Sequence, residues 1–167
     1  MLGFEYPKKP HTRRHGPEGY CDYESYRDWL RDEFTFRCVY CLHREQWYGR
    51  GAAFNIDHLV PLSEHPQASC EYTNLLYACA TCNLAKHDIR GIPDPCLVAF
   101  GDCLRVRQNG EVEALNEHGM KLREILRLNK KSNVRGRSKM MRLLAHLKST
   151  NIELYQEFRD FPPIFQT

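Results

Sequence analysis

Two cysteine pairs, Cys38-Val-Tyr-Cys41 and Cys79-Ala-Thr-Cys82, constrain this chain more than any other feature of its sequence. Each C-x-x-C turn presents two sulfurs to one point, and four thiolates so arranged suit a tetrahedral Zn²⁺ at Zn–S distances of about 2.3 Å. Thirty-seven residues separate the pairs, more than a simple ribbon or finger needs, so the ion is expected to staple the base of a sizeable insert. Disulfides are the competing reading of eight cysteines. The C-x-x-C spacing and the lack of an N-terminal apolar signal segment favour metal. Cys21, Cys70, Cys96 and Cys103 stand alone and are read as small buried apolar groups.

Length is compatible with one domain and a real core. The longest apolar run, Leu75 to Ala80, is far too short to cross a bilayer, so a non-membrane, cytoplasmic protein is expected. Residues 1–20 are rich in Pro, Gly and basic side chains and read as a flexible basic arm. Beyond Asp22, the spacing of Tyr23, Tyr26, Trp29, Leu30 and Phe34 predicts a helix. Short runs around Trp47-Tyr48 and Phe54-Asn-Ile56, separated by Gly49-Arg-Gly51, predict a hairpin. A short turn is expected over 73–76 and a helix over 81–88. Past Pro95, Cys103–Arg107 and Glu111–Leu115 flank an Asn109-Gly110 turn and predict a second hairpin. Helices should follow Asn116, should carry Met140 to Leu147, and should start from a capping box at Thr150-Asn-Ile-Glu153.

The insert between the cysteine pairs holds Ile56-Asp-His-Leu-Val-Pro-Leu-Ser63 and Tyr72-Thr-Asn-Leu-Leu76. It runs into Cys82-Asn-Leu-Ala-Lys86. In an extended strand Asp57 and His58 point to opposite sides, so one site can use both only if the chain turns there, which Pro61 makes plausible. The order C-x-x-C, D-H-x-x-P-x-S, N-L, C-x-x-C-N-x-x-K resembles the HNH endonuclease family across about Phe36 to His87. That resemblance implies an α+β chain built on the ββα-metal fold, with residues 21–95 as nuclease core and zinc on Cys38, Cys41, Cys79 and Cys82 as a structural clamp. It further implies His58 as general base, Asp57 and Asn83 as ligands of one catalytic Mg²⁺ or Mn²⁺, and Asn74 as brace of the loop that orients His58. The chemistry is apt, since imidazole titrates close to neutrality and Asp and Asn offer hard oxygens. Three roles are open to His87, four residues after Asn83: a further ligand, a phosphate contact, or a favourable charge at the helix end. Lys86 is expected to meet the substrate phosphate.

The net charge of +3 hides an asymmetry: Lys121 to Lys148 contains ten Lys/Arg and one acid, Glu124. A charge run is ordinarily a solvated face, but beside a nuclease core it points to a polyanion. Arg127, Lys130, Lys131, Arg135, Arg137 and Lys139, with Arg123 and Arg142, are the expected phosphate-tracking surface. Residues 96–167 are similar to an extension on a subset of bacterial HNH proteins, some linked to defence or mobile elements, which implies a hairpin and helices packed on the core. The expected partners are DNA and a regulatory protein, and the expected state is a monomer or homodimer. The competing function is a non-catalytic zinc-clamped DNA-binding or interaction subunit. His11, His15, His43, His65, His118 and His146 are read as surface residues.

Overall fold

The computed structural model describes residues 3–48 and 53–160. Among them, no helix is long and apolar enough to cross a membrane. The fold is α+β. A 3-10 turn, Tyr23–Tyr26, capped by the Asp22 carboxylate, leads into α1, Arg27–Glu33. Strands β1, Phe54–His58, and β2, Leu75–Cys79, pair antiparallel with Asp57 opposite Leu76 and His58 opposite Leu75. Helix α2, Ala80–Lys86, follows β2 without a loop and packs on both strands. This is the expected ββα unit, assembled from different segments.

The predicted hairpin is where sequence and structure part. Glu45–Tyr48 forms a 3-10 turn rather than a strand, and Gly49-Arg-Gly51 lies outside the described residues. Residues 75–76, expected in a turn, begin β2. The local glycine signal loses to long-range pairing because all five residues of β2 are buried. A strand hidden on both faces needs a partner whose pairing face is equally apolar, and Phe54 and Ile56 supply it.

The second hairpin forms as expected, β3, Leu104–Val106, against β4, Val112–Ala114. Gly110 in its turn has φ +88°, and a Cβ there would lie 2.6 Å from the Val134 carbonyl oxygen. Glycine is needed on both counts. A short helix α3, Phe100–Cys103, precedes it. Then come α4, Glu117–Ile125, capped by the Asn116 side chain, and α5, Lys131–Thr150. The last helix, α6, Ile152–Arg159, is capped by Asn151, whose side chain accepts from the Leu154 amide. Thr150 instead ends α5 and donates to the His146 carbonyl, so the cap sits one residue later than predicted. Trp47 joins this extension to the core: it packs beside Leu144 and Tyr155, and its Nε1 donates to the Phe158 carbonyl at 2.8 Å.

Within the segment read as a flexible arm, Phe4 to His15 pack against the core. Phe4 and Tyr6 are buried, and Phe4 packs on the rings of His43 and Trp47. The Tyr6 hydroxyl donates to the Tyr40 carbonyl at 2.8 Å, and the Pro7 carbonyl accepts from the Gly101 amide at 2.7 Å. The Arg13 guanidinium lies over the rings of Phe34 and Tyr72. His11 and His15, expected at the surface, instead bond Glu33 and Asp32 at the end of α1, at 2.8 and 2.7 Å. Composition missed this because those two acids are buried, and the arm's donors, joined at Glu33 by the Tyr72 hydroxyl, satisfy them.

Burial alone would raise the Glu33 carboxyl. Hydrogen bonds from His11 and the amides of Arg14 and His15 override it and lower the pKa from 4.5 to about 2. A depressed acid contributes stability that is present above its unfolded value and lost as pH falls through the folded one. Glu33→Gln is therefore expected to melt below the native protein, with the gap full at pH 7 and narrowing from about pH 4.5 toward 2; thermal melts across that range check it.

Candidate functional site

The Cys38–Cys41 turn is built by a tight backbone loop in which the Cys38 amide donates to the His43 carbonyl and the Leu42 amide to Cys38. Leu42 takes φ +63° to close it. The Val39 amide bonds the Tyr77 carbonyl at 3.0 Å, fastening this knuckle to β2. Cys79 ends β2 and Cys82 lies in the first turn of α2. All four sulfurs are buried and lie within 4.8 Å of one another. Cys41 and Cys79 are 3.6 Å apart, close to the edge of about 3.8 Å that a tetrahedron with 2.3 Å Zn–S bonds would have. Burial pushes the Cys38 thiol up, and contact with its three neighbours pushes Cys82 up. Four thiolates in so dry a space need a dication among them, so the residues fit zinc.

Asp57 and His58, consecutive on β1, face opposite ways. Asp57 is 4% exposed and points into the core. Its Oδ2 accepts from the Tyr40 hydroxyl at 2.5 Å, and its Oδ1 pairs with the Lys86 ammonium at 3.1 Å. Burial pushes its carboxyl above the ordinary range against the pull of Lys86 and Tyr40. Lys86 also donates to the His58 carbonyl at 2.6 Å, so one buried ammonium clasps α2 to β1 at both positions.

His58 is half-buried on the other face. Its Nε2 lies 3.0 Å from the Ser69 carbonyl oxygen, and the Tyr23 ring stands edge-on with centroids 5.0 Å apart. Asn74 organises the intervening loop. Its Oδ1 accepts from the Val60 amide at 2.8 Å, while Nδ2 donates to the Val60 and Ala68 carbonyls at 3.2 and 3.4 Å. The carbonyl that holds His58 is thus the immediate neighbour of one that Asn74 holds.

The segment spanning both cysteine turns and everything between them matches a family model, HNH endonuclease, over residues 38–88. Residues 38–88 are an HNH domain. No curated protein matches the chain. Within the HNH domain, Asn83 is half-exposed on α2 directly after Cys82 of the four-cysteine cluster. Asp57 and Asn83 offer the hard oxygens that Mg²⁺ or Mn²⁺ take, and a carboxylate oxygen keeps lone-pair capacity beyond one partner. The donor types suit such an ion, but both Asp57 oxygens are already engaged, by Tyr40 and by the Lys86 ammonium, so an ion at Oδ1 would have to displace Lys86. His87 ends α2 with φ +44°. Its side chain is 71% exposed and pairs with Asp88, and among the described residues only the four cysteines form a converging set of three or more Cys, His, Asp or Glu ligands.

Two expected DNA contacts are corrected. Lys86 is 1% exposed and committed to Asp57, and Arg137 is fully buried. Arg137 donates to the carbonyls of Gly110, at 2.7 Å, and Leu128, pinning the β3–β4 turn to the chain before α5. A guanidinium so enclosed cannot follow a phosphate backbone. Arg127, Lys130, Lys131, Arg135 and Lys139 are exposed. Lys131, Arg135 and Lys139 recur every fourth residue of α5 and form one stripe.

Sequence reasoning passed over Tyr40 and misplaced Lys86. Nothing in Cys-Val-Tyr-Cys marks the tyrosine as reaching a carboxylate 17 positions away. Metal analysis is expected to find zinc equimolar with the native protein, and Ala substitution of Cys38 or Cys82 is expected to abolish it and unfold the domain, because the binding energy of a four-thiolate site contributes to folding. Tyr40→Phe should keep its zinc and cost about 1–3 kcal/mol in denaturant unfolding, the penalty of a buried acceptor deprived of its donor.

Proposed function

We propose that the HNH domain is a DNA endonuclease, hydrolysing phosphodiester bonds with a hard divalent ion. The hydrogen bond from His58 to the Ser69 carbonyl carries this reading. A carbonyl only accepts, so in the neutral ring the proton sits on Nε2 and Nδ1 presents a lone pair. Nδ1 would take a proton from a water as that water attacks phosphorus, the contribution expected of a general base. Asn74 keeps the ring's anchor in place by holding Val60 and Ala68, and Tyr23 limits rotation of the imidazole. Asp57 and Asn83 would hold the ion, which when bound supplies Lewis-acid stabilisation of charge on the phosphoryl and leaving oxygens. Tyr40 holds Asp57 through Oδ2, while Lys86 occupies Oδ1 and would have to yield that oxygen to the ion. The zinc clamp places Asn83 by anchoring the first turn of α2. One such site per chain makes nicks; a double-strand cut requires two chains or two events.

The same Lys86–Asp57 pair favours a second reading, a zinc-clamped DNA-binding module without catalysis, since an internal ammonium already neutralises the carboxylate. Plasmid nicking separates the two. The endonuclease reading expects relaxed circles with Mg²⁺ or Mn²⁺ and none with chelator, and a rate about 10²–10⁴-fold lower for His58→Ala at unchanged zinc content. No nicking by the native protein with either ion would establish the second reading. For the α5 stripe, replacing Lys130, Lys131, Arg135 and Lys139 by Gln is expected to weaken duplex binding and flatten its dependence on salt; an unchanged slope in a binding titration would remove the stripe from the interface.

A further inference from the structure

The two residues that flank the first cysteine turn, Arg37 and Arg44, are paired directly opposite each other by an antiparallel bridge. That bridge is backed by the Cys38 amide bonding the His43 carbonyl at 2.8 Å and the Glu45 amide bonding Phe36 at 2.9 Å. Opposed positions of an antiparallel pair put both side chains on one face, and like charges there are destabilising. Neither guanidinium has a carboxylate hydrogen-bond or ion-pair partner among the described residues, and the Arg44 Nε is enclosed with no hydrogen-bond partner at all. Both line a cleft of about 370 Å³ with Arg14, Thr35, Arg159 and Asp160. The acids of this cleft are already committed: Asp32 to Arg14 and His15, and Asp160 to Arg159. The Arg44 side chain is further held over the Trp47 ring, 6.0 Å from its centroid.

We propose that this cleft is a phosphate-binding site, in which Arg37 and Arg44 together grip one oxyanion group at the outer base of the zinc knuckle. Paired guanidiniums match phosphate oxygens in bidentate geometry, and an anion between them relieves the repulsion that the bridge imposes. Arg14 and Arg159, each paired with its own acid, also line the cleft. The occupant belongs to one chemical class with two sources, a phosphate of a nucleic-acid backbone or a free diphosphate. The nucleic-acid source rests on the DNA part of the proposed function; the site itself does not rest on catalysis. The zinc cysteines fix the backbone that carries both arginines, so the site is as rigid as the clamp.

The test uses the full zinc-loaded chain and the Arg37→Gln, Arg44→Gln double variant, with a short DNA duplex and inorganic pyrophosphate as probes. Duplex affinity is expected to fall about tenfold and the salt slope to drop by about 2 for two lost cationic contacts. Pyrophosphate should raise the melting temperature of the native chain and not of the variant. A loss confined to the duplex assigns the backbone phosphate, and a loss confined to pyrophosphate assigns the free diphosphate. A zinc-loaded variant that binds both probes as the native chain does overturns the site. If the double variant fails to hold zinc, native protein is treated with an arginine-selective dicarbonyl and analysed by peptide mass. Protection of Arg37 and Arg44 by either probe supports the site, and equal labelling with and without both probes overturns it. His58→Ala binds like the native protein on this account, so loss of nicking alone reports on the proposed function and leaves the cleft unaffected.

Discussion

Everything at the candidate site depends on four buried sulfurs being drawn to one point. Cys38 and Cys41 lie in a loop before β1, Cys79 ends β2, and Cys82 lies in α2, so an ion shared by the four would join the three segments that must meet. Neither strand is long enough to be stable as an isolated ribbon. Held by the clamp and packed by α2, the pair becomes rigid, and the side chains on both faces of β1 acquire fixed directions.

Those directions give the two faces separate tasks. Toward the core, Asp57 is enclosed by Tyr40 and Lys86, an arrangement in which every buried polar group has a partner. Toward the loop, His58 is held through one nitrogen and open at the other. Tyr40 belongs to the zinc knuckle and Lys86 to α2. The carboxylate is thus gripped by the same two segments that the cysteine cluster brings together, so the cluster and the site share a single mechanical unit.

The N-terminal segment and the C-terminal extension both pack on that unit and meet at Trp47. Phe4 and Tyr6 cover the knuckle through Trp47 and the Tyr40 carbonyl. Glu33 and Asp32 fasten the following residues to α1. Trp47 in turn lies against α5 and α6. This packing explains why Arg137, inside the most basic stretch of the chain, is an internal strut while Lys131, Arg135 and Lys139 on the same helix are free to meet solvent.

The convergence of the four cysteines and the second hairpin were legible from the sequence because each is a local chemical pattern whose meaning needs few neighbours. The match over residues 38–88 spans both cysteine pairs. The partner of β1, the packing of Phe4 to His15 on the core, the enclosure of Lys86 and Arg137 and the pairing of Arg37 with Arg44 were decided only by the tertiary structure. A basic side chain reads the same in sequence whether it meets water, phosphate or a buried carboxylate. Which one it meets follows from the burial of residues far along the chain, above all β2, whose five enclosed residues outweighed a nearby glycine turn.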